Sequence, residues 1–214
     1  MLYRHVPIEA IPQCLRERPQ WICWKYVPRE NGEPGKLPVQ AEKGWNASTT
    51  DANTWSTFDV AVQAYQKNKA YAGIAYVFAE SDPFAGIDLD DCLDDDGEFI
   101  WGEDIVESFD TYSEVSPSGR GIKLIFEGKK PQWANCIVNG LGPDGNVQIE
   151  IYDRARCFTI TGQRLVSSPT GVASRQSELD ALCAKLWGLP PDTTRPPHLR
   201  PCSRTSRSSS RINE

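Results

Sequence analysis

Three short stretches carry residue types that can handle metal ions and phosphates. The first is Gly-Ile-Asp-Leu-Asp-Asp-Cys, residues 86 to 92. In a strand, residues i and i+2 share a face, so Asp88 and Asp90 project together while Ile87 and Leu89 turn to the core. Two carboxylates held this close repel, and a shared divalent cation relieves the repulsion. All-oxygen ligands favour Mg2+ or Mn2+. An isolated Asp-x-Asp pair is equally a solvated strand end. The acidic run Asp94–Asp96 before Gly97 lacks the spacing of a calcium loop and reads as a solvated turn.

The second stretch is Ser-Pro-Ser-Gly-Arg-Gly-Ile-Lys, residues 116 to 123. Small residues and glycine let backbone N–H groups approach an anion. Ser116, Ser118 and Gly119 supply that turn, and Arg120 and Lys123 add positive charge, a combination suited to a triphosphate. It is not the Gly-x-x-x-x-Gly-Lys-Ser/Thr phosphate loop, and an ordinary Ser/Gly hairpin turn has the same composition. The third stretch is residues 149 to 162, Ile-Glu-Ile-Tyr-Asp-Arg-Ala-Arg-Cys-Phe-Thr-Ile-Thr-Gly. Glu150 sits between two isoleucines, an awkward place for an unpaired charge. Either it faces solvent, or it shares a metal with Asp88 and Asp90. Arg156 follows the turn within reach of a phosphate. Asp153 is the alternative third acid if Glu150 faces the wrong way.

These residues need strands to hold them. Residues 20–27 are aromatic and β-branched and read as a strand. A turn-rich segment, 30–35, precedes Lys36-Leu37-Pro38-Val39. The spacing of Phe58, Ala61, Val62 and Tyr65 predicts a helix opening at Ser56, with Asp59 closing an approximate capping box. Strands are expected at 73–78 and 84–89, a helix at 103–109, and strands near 111–115 and 121–126. Residues 133–146, rich in Gly and Asn, read as a loop. Residues 147–152 and 156–161 read as a strand pair around a turn. Leu179, Leu182, Cys183 and Leu186 mark a last helix. The pattern is α+β, around a largely antiparallel or mixed sheet.

The 214 residues suffice for one domain with a full core, and 39% apolar with 24% charged is a globular balance. The expected catalytic domain is 1–189. Residues 190–214 carry five prolines and five arginines with almost no large apolar side chains, and read as a disordered tail or linker. No apolar run reaches membrane-span length, and residues 1–9 are not a signal peptide. The expectation is a cytoplasmic protein. Seven scattered cysteines, without a Cys-x-x-Cys pair, and two distant histidines exclude a zinc site of the usual kind and a disulfide framework. Net charge is −6, which argues against tight non-specific DNA binding by this domain alone. The charge is uneven, however. Residues 70–119 hold fourteen acids and no Lys or Arg, and residues 120–164 hold seven Lys or Arg against four acids.

The order of the motifs resembles the archaeo-eukaryotic primase superfamily, most closely the primase-polymerase domains at the N-termini of phage and plasmid replication proteins. Asp-x-Asp on a strand comes first, then Ser-x-Ser-Gly-x-Gly-x-Lys entering a strand, then a strand acid followed by Arg-x-Phe-Thr-x-Thr-Gly. The Trp21-Ile22-Cys23-Trp24 strand, Lys36-Leu37-Pro38 and Tyr71-Ala72-Gly73-Ile74 add to the likeness, which spans roughly residues 10 to 165. It implies a catalytic sheet of the RNA-recognition-motif type with an N-terminal α/β elaboration. It implies template-directed nucleotidyl transfer, with Asp88, Asp90 and Glu150 holding two metal ions. Ser116, Ser118, Gly119, Arg120 and Lys123 would position the triphosphate, with Lys36 and Arg156 as further phosphate contacts. Lys123 departs from the family, which usually has histidine there. Implied partners are a single-stranded DNA template, NTP or dNTP, and a helicase domain; with so little chain after Leu189, the helicase is expected to be absent or on another polypeptide. Two rivals remain: a non-catalytic replication module that binds DNA or recruits a helicase, and another metal-dependent enzyme such as a sugar-nucleotide transferase.

Overall fold

The structure is a computed structural model that describes residues 6–29, 32 and 34–189. The expected tail, 190–214, lies outside the described residues. Among the described residues nine strands form two antiparallel sheets. The first has the order β2-β1-β3-β9, from Gly35–Val39, Trp21–Val27, Gly73–Phe78 and Arg156–Ile160. The second has the order β5-β6-β4-β8-β7, from Ser113–Val115, Ile122–Glu127, Phe84–Leu89, Val147–Tyr152 and Ile137–Leu141. The helices are α1 (Gln13–Arg16), α2 (Phe58–Lys67), α3 (Glu103–Phe109) and α4 (Gln176–Trp187). The α+β expectation holds, and every strand pairing is antiparallel.

Alternation sorts the side chains between layers. On β3, Ile74, Tyr76 and Phe78 join the core beneath α2, while Ala75 and Val77 pack with Ile22 and Trp24 on the opposite face. On β4, Ala85, Ile87 and Leu89 pack against α3 and α4 through Val106, Phe109, Leu179 and Leu182. Each large apolar side chain buried this way contributes about 1.5–3 kcal/mol before its ordering entropy is subtracted. The other face of β4 meets the first sheet. At Gly86 the approach is so close that a Cβ would lie 2.5 Å from the Phe158 ring and 2.7 Å from Phe78. The turn joining β3 to β4 is pinned by buried Asp82, which accepts from Gln20 Nε2, from Tyr76 Oη (3.1 Å) and from the Phe84 amide (3.0 Å).

Three expectations are corrected, and one element is added. The cap of helix α2 falls one residue later than predicted. Thr57 caps it by accepting from Val60 N, while Ser56 instead pairs with Trp21 by backbone and hydroxyl. Residues 133–146 are not all loop, since β7 forms there as an edge strand on β8. Strands β8 and β9 do not pair with each other. The chain turns at Ala155, in the left-handed region at φ 53, and crosses from one sheet to the other. The short helix α1 was not expected.

Candidate functional site

One row of side chains crosses the second sheet. Register pairs Glu114 with Lys123, Lys123 with Asp88, Asp88 with Glu150, and Glu150 with Ile137. Directly opposed residues share a face, with Cβ atoms about 4.5–5.5 Å apart. Asp88 and Glu150 therefore lie side by side by register, and Ile87 and Leu89 face the core. Asp153 points elsewhere, accepting from the Lys130 amide at 3.2 Å.

The acids are engaged rather than clustered. Asp88 Oδ2 pairs with Lys123 Nζ, and both side chains are nearly buried, 13% and 6% exposed. Asp88 Oδ1 is buried with no hydrogen-bond partner. Glu150 Oε2 accepts from Arg156 Nη2 at 2.6 Å, and Oε1 accepts from Gln148 Nε2 at 2.9 Å. Asp90 follows β4, its amide donating to Gln148 O at 3.1 Å. Burial and then the Asp88 charge push its carboxyl above the usual range, with a Gln148 hydrogen bond opposing. Gln148, which touches both outer acids, was missed in the sequence. Its place two residues before Glu150, on the same strand face, is the signal that finds it.

The row opens on a cleft of about 490 Å³ lined by Trp24, Lys36, Asp88, Lys123, Arg156 and Thr159, among others, a volume typical of small-molecule sites. Lys36 is held below its ordinary pKa by burial and then by the Lys123 charge, and its ammonium lies 5.8 Å from the Trp24 ring centre. Lys123 Nζ sits 4.7 Å over Phe158, and the Arg156 guanidinium 4.8 Å over Tyr152. Three cations thus converge from three strands. Arg120 goes elsewhere, to Asp91 (3.1 Å) and Asp95 (3.2 Å) on the acidic turn. Ser116 and Ser118 bond each other at 2.9 Å, Ser116 Oγ accepts from Gly121 N, and Gly119 has φ 80. This is a tight, self-satisfied turn entering β6.

The donor set, the carboxylates of Asp88, Asp90 and Glu150 with one Asp88 oxygen left unpartnered, matches a hard divalent cation in chemical kind. Among the described residues, no three His, Cys, Asp or Glu side chains are already arranged as a cage.

No family model matches the sequence. A curated relative is 32% identical over 153 residues, 71% of this chain, and supports the likeness to phage-type primase-polymerases, consistent with the superfamily resemblance of its motifs. That relative is the DNA primase-polymerase of Nitratiruptor phage NrS-1, and the chain spans 20% of its length.

Proposed function

We propose that the chain performs the nucleotidyl transfer of a primase-polymerase, joining NTP or dNTP on a single-stranded DNA template during replication of a phage, plasmid or other mobile element. The observation that carries this is the row pairing Asp88 with Glu150 beside a cleft lined by Lys36, Lys123 and Arg156. A primer 3′-hydroxyl, or that of a first nucleotide, attacks the α-phosphorus. A new P–O bond forms, the bond to the β-phosphate oxygen breaks, and pyrophosphate leaves with the electron pair as the hydroxyl proton is lost. Asp88, Asp90 and Glu150 would hold Mg2+ or Mn2+, which when bound supplies Lewis-acid stabilisation of the attacking and leaving oxygens. Lys36, Lys123 and Arg156 neutralise the triphosphate. Ser116, Ser118 and Gly119 fix the turn that carries Lys123.

The same reading takes the second sheet as an RNA-recognition-motif type. Strands β4, β5 and β6 with α3 follow the β-α-β-β order that opens split βαβ folds, and β8 pairs beside β4 as a fourth strand. The second helix on that face is α4, supplied from after β9. A helicase partner and a cytoplasmic setting belong with it. Among the described residues no helix is long and apolar enough to cross a membrane.

The test is primer extension and de novo synthesis on single-stranded DNA with Mg2+ or Mn2+. Incorporation is expected in the wild type and its loss in Asp88→Asn and Asp90→Asn. A non-catalytic module that binds DNA or recruits a helicase is the second reading, favoured by the ion pairs that already occupy Asp88 and Glu150. Template binding without incorporation under every metal would decide for it.

A further inference from the structure

Two of the three acids are already neutralised by cations of the same cleft. Lys123 holds Asp88, and Arg156 holds Glu150 at 2.6 Å. Among the described residues Asp90 makes no ion pair. Asp88 keeps one oxygen buried and unpartnered beside the Lys123 contact. The groups suited to a metal and the groups suited to a phosphate are thus bound to each other.

We infer that these are exchange pairs, an inference that rests on the site being a metal-dependent triphosphate site. In the unliganded protein Lys123 and Arg156 stand where divalent cations would otherwise balance the carboxylates. A metal–triphosphate complex displaces both pairs together: the carboxylates turn to the metal, and the ammonium and guanidinium to phosphate oxygens. A metal arriving alone would leave the Lys123 ammonium, with its side chain only 6% exposed, without its counter-charge. A triphosphate arriving alone would strip Asp88 in the same way. Leaving one half of a buried pair behind is strongly unfavourable. Each ligand therefore binds weakly alone and tightly with the other, and the coupling is reciprocal.

The test measures binding, not turnover, on the full chain. Mn2+ uptake without nucleotide is followed by the electron paramagnetic resonance signal of free Mn2+, and labelled dATP uptake in EDTA by equilibrium dialysis. Lys123→Met and Arg156→Gln should each tighten Mn2+ binding by roughly 5-fold or more, the lower end of ordinary coupling. Asp88→Asn should tighten metal-free dATP binding, the opposite of what loss of a simple metal ligand gives. If circular dichroism finds Lys123→Met unfolded, Arg156→Gln decides, because the Arg156 side chain is 46% exposed. Mn2+ and dATP uptake that is intact but indifferent to all three substitutions overturns the exchange alone. No uptake of either ligand, singly or together, overturns the reading of the site and this inference with it.

Discussion

Lys123 on β6 faces Asp88 on β4 across one register position, and the two side chains close a buried ion pair. Two residues further, Asp90 makes no ion pair among the described residues and is held above the usual carboxylate range by burial and then by Asp88. Neutralising the two acids should therefore affect stability in opposite directions. Asp88→Asn leaves a buried ammonium short of its counter-charge and should cost about 1.5–3 kcal/mol. In thermal unfolding that is a fall of roughly 3–12 °C.

Asp90→Asn should raise stability at pH 7. A carboxyl whose folded pKa is raised binds its proton more tightly folded than unfolded, so its ionisation costs stability above the unfolded pKa. That cost vanishes as pH falls through the folded pKa. After allowance for solvent screening, the gain should be on the order of 0.5–1 kcal/mol. It should shrink as the pH enters the acid carboxylate range, where wild-type Asp90 takes up its proton. Thermal unfolding at stepwise lower pH tests the sign: a variant less stable than wild type at pH 7 would mean Asp90 is paired in solution.

Lys36 and Arg120 separate the cleft from the acidic turn. Lys36 lines the cleft, and Arg120 is tied to Asp91 and Asp95 at exposed positions. Lys36→Ala should weaken dATP binding about 10-fold or more, as for loss of one charge-assisted contact. Arg120→Ala breaks only exposed pairs and should change dATP affinity less than roughly 3-fold. Equal losses in both variants would place Arg120 on the triphosphate after all.

The limits of the sequence lie in what is not local. Strands β3 and β4 and helix α3 match their expected bounds residue for residue, because burial on both strand faces, or a repeating helical stripe, writes itself into adjacent positions. The expectation that Asp88 and Asp90 share a face rests on the same period, but β4 ends at Leu89 and Asp90 lies in the turn after it. The edge strand β7, Ile-Val-Asn-Gly-Leu, is mostly exposed and broken by a register shift between Asn139 and Leu141, so it carries no alternation to detect. The parting of β8 and β9 into different sheets is invisible locally, since neighbouring strands so often pair. For the same reason the Lys123–Asp88 and Glu150–Arg156 pairs could not be foreseen: register sets one, and the crossing at Ala155 sets the other.

Gly86 should tolerate no side chain. The two sheets approach at this point, and a Cβ would meet Phe158 at 2.5 Å and Phe78 at 2.7 Å. Gly86→Ala should cost about 1–3 kcal/mol through overpacking, visible as a lower urea midpoint with an unchanged slope. Phe158→Leu in the same chain should recover part of the loss. No recovery would locate the strain in the backbone instead of the ring contact.

Glu114 gives the Thr161-Gly162 motif a physical role. Its side chain is fully buried. Oε1 accepts from Thr161 N at 2.8 Å, and Oε2 accepts from Gly162 N at 3.0 Å and from Tyr112 Oη at 2.6 Å. Burial pushes its pKa up, and these three donors oppose the rise. All three partners present hydrogens, so an acceptor-only carboxylate matches them and an amide does not. Glu114→Gln must aim its NH2 at one of the donors, leaving buried groups unmatched at about 1–3 kcal/mol each. Because Glu114 ties β5 to the end of β9, the loss falls where the two sheets join. Glu114→Gln should therefore destabilise by roughly 2–4 kcal/mol. Tyr112→Phe, which removes one donor and leaves two, should lose only about 1–1.5 kcal/mol. The double variant should lose less than the sum, since the two residues share a bond. Urea unfolding of the four proteins measures the cycle; strict additivity, or a Glu114→Gln variant within ~0.5 kcal/mol of wild type, would show that this buried acid does not hold the sheets together.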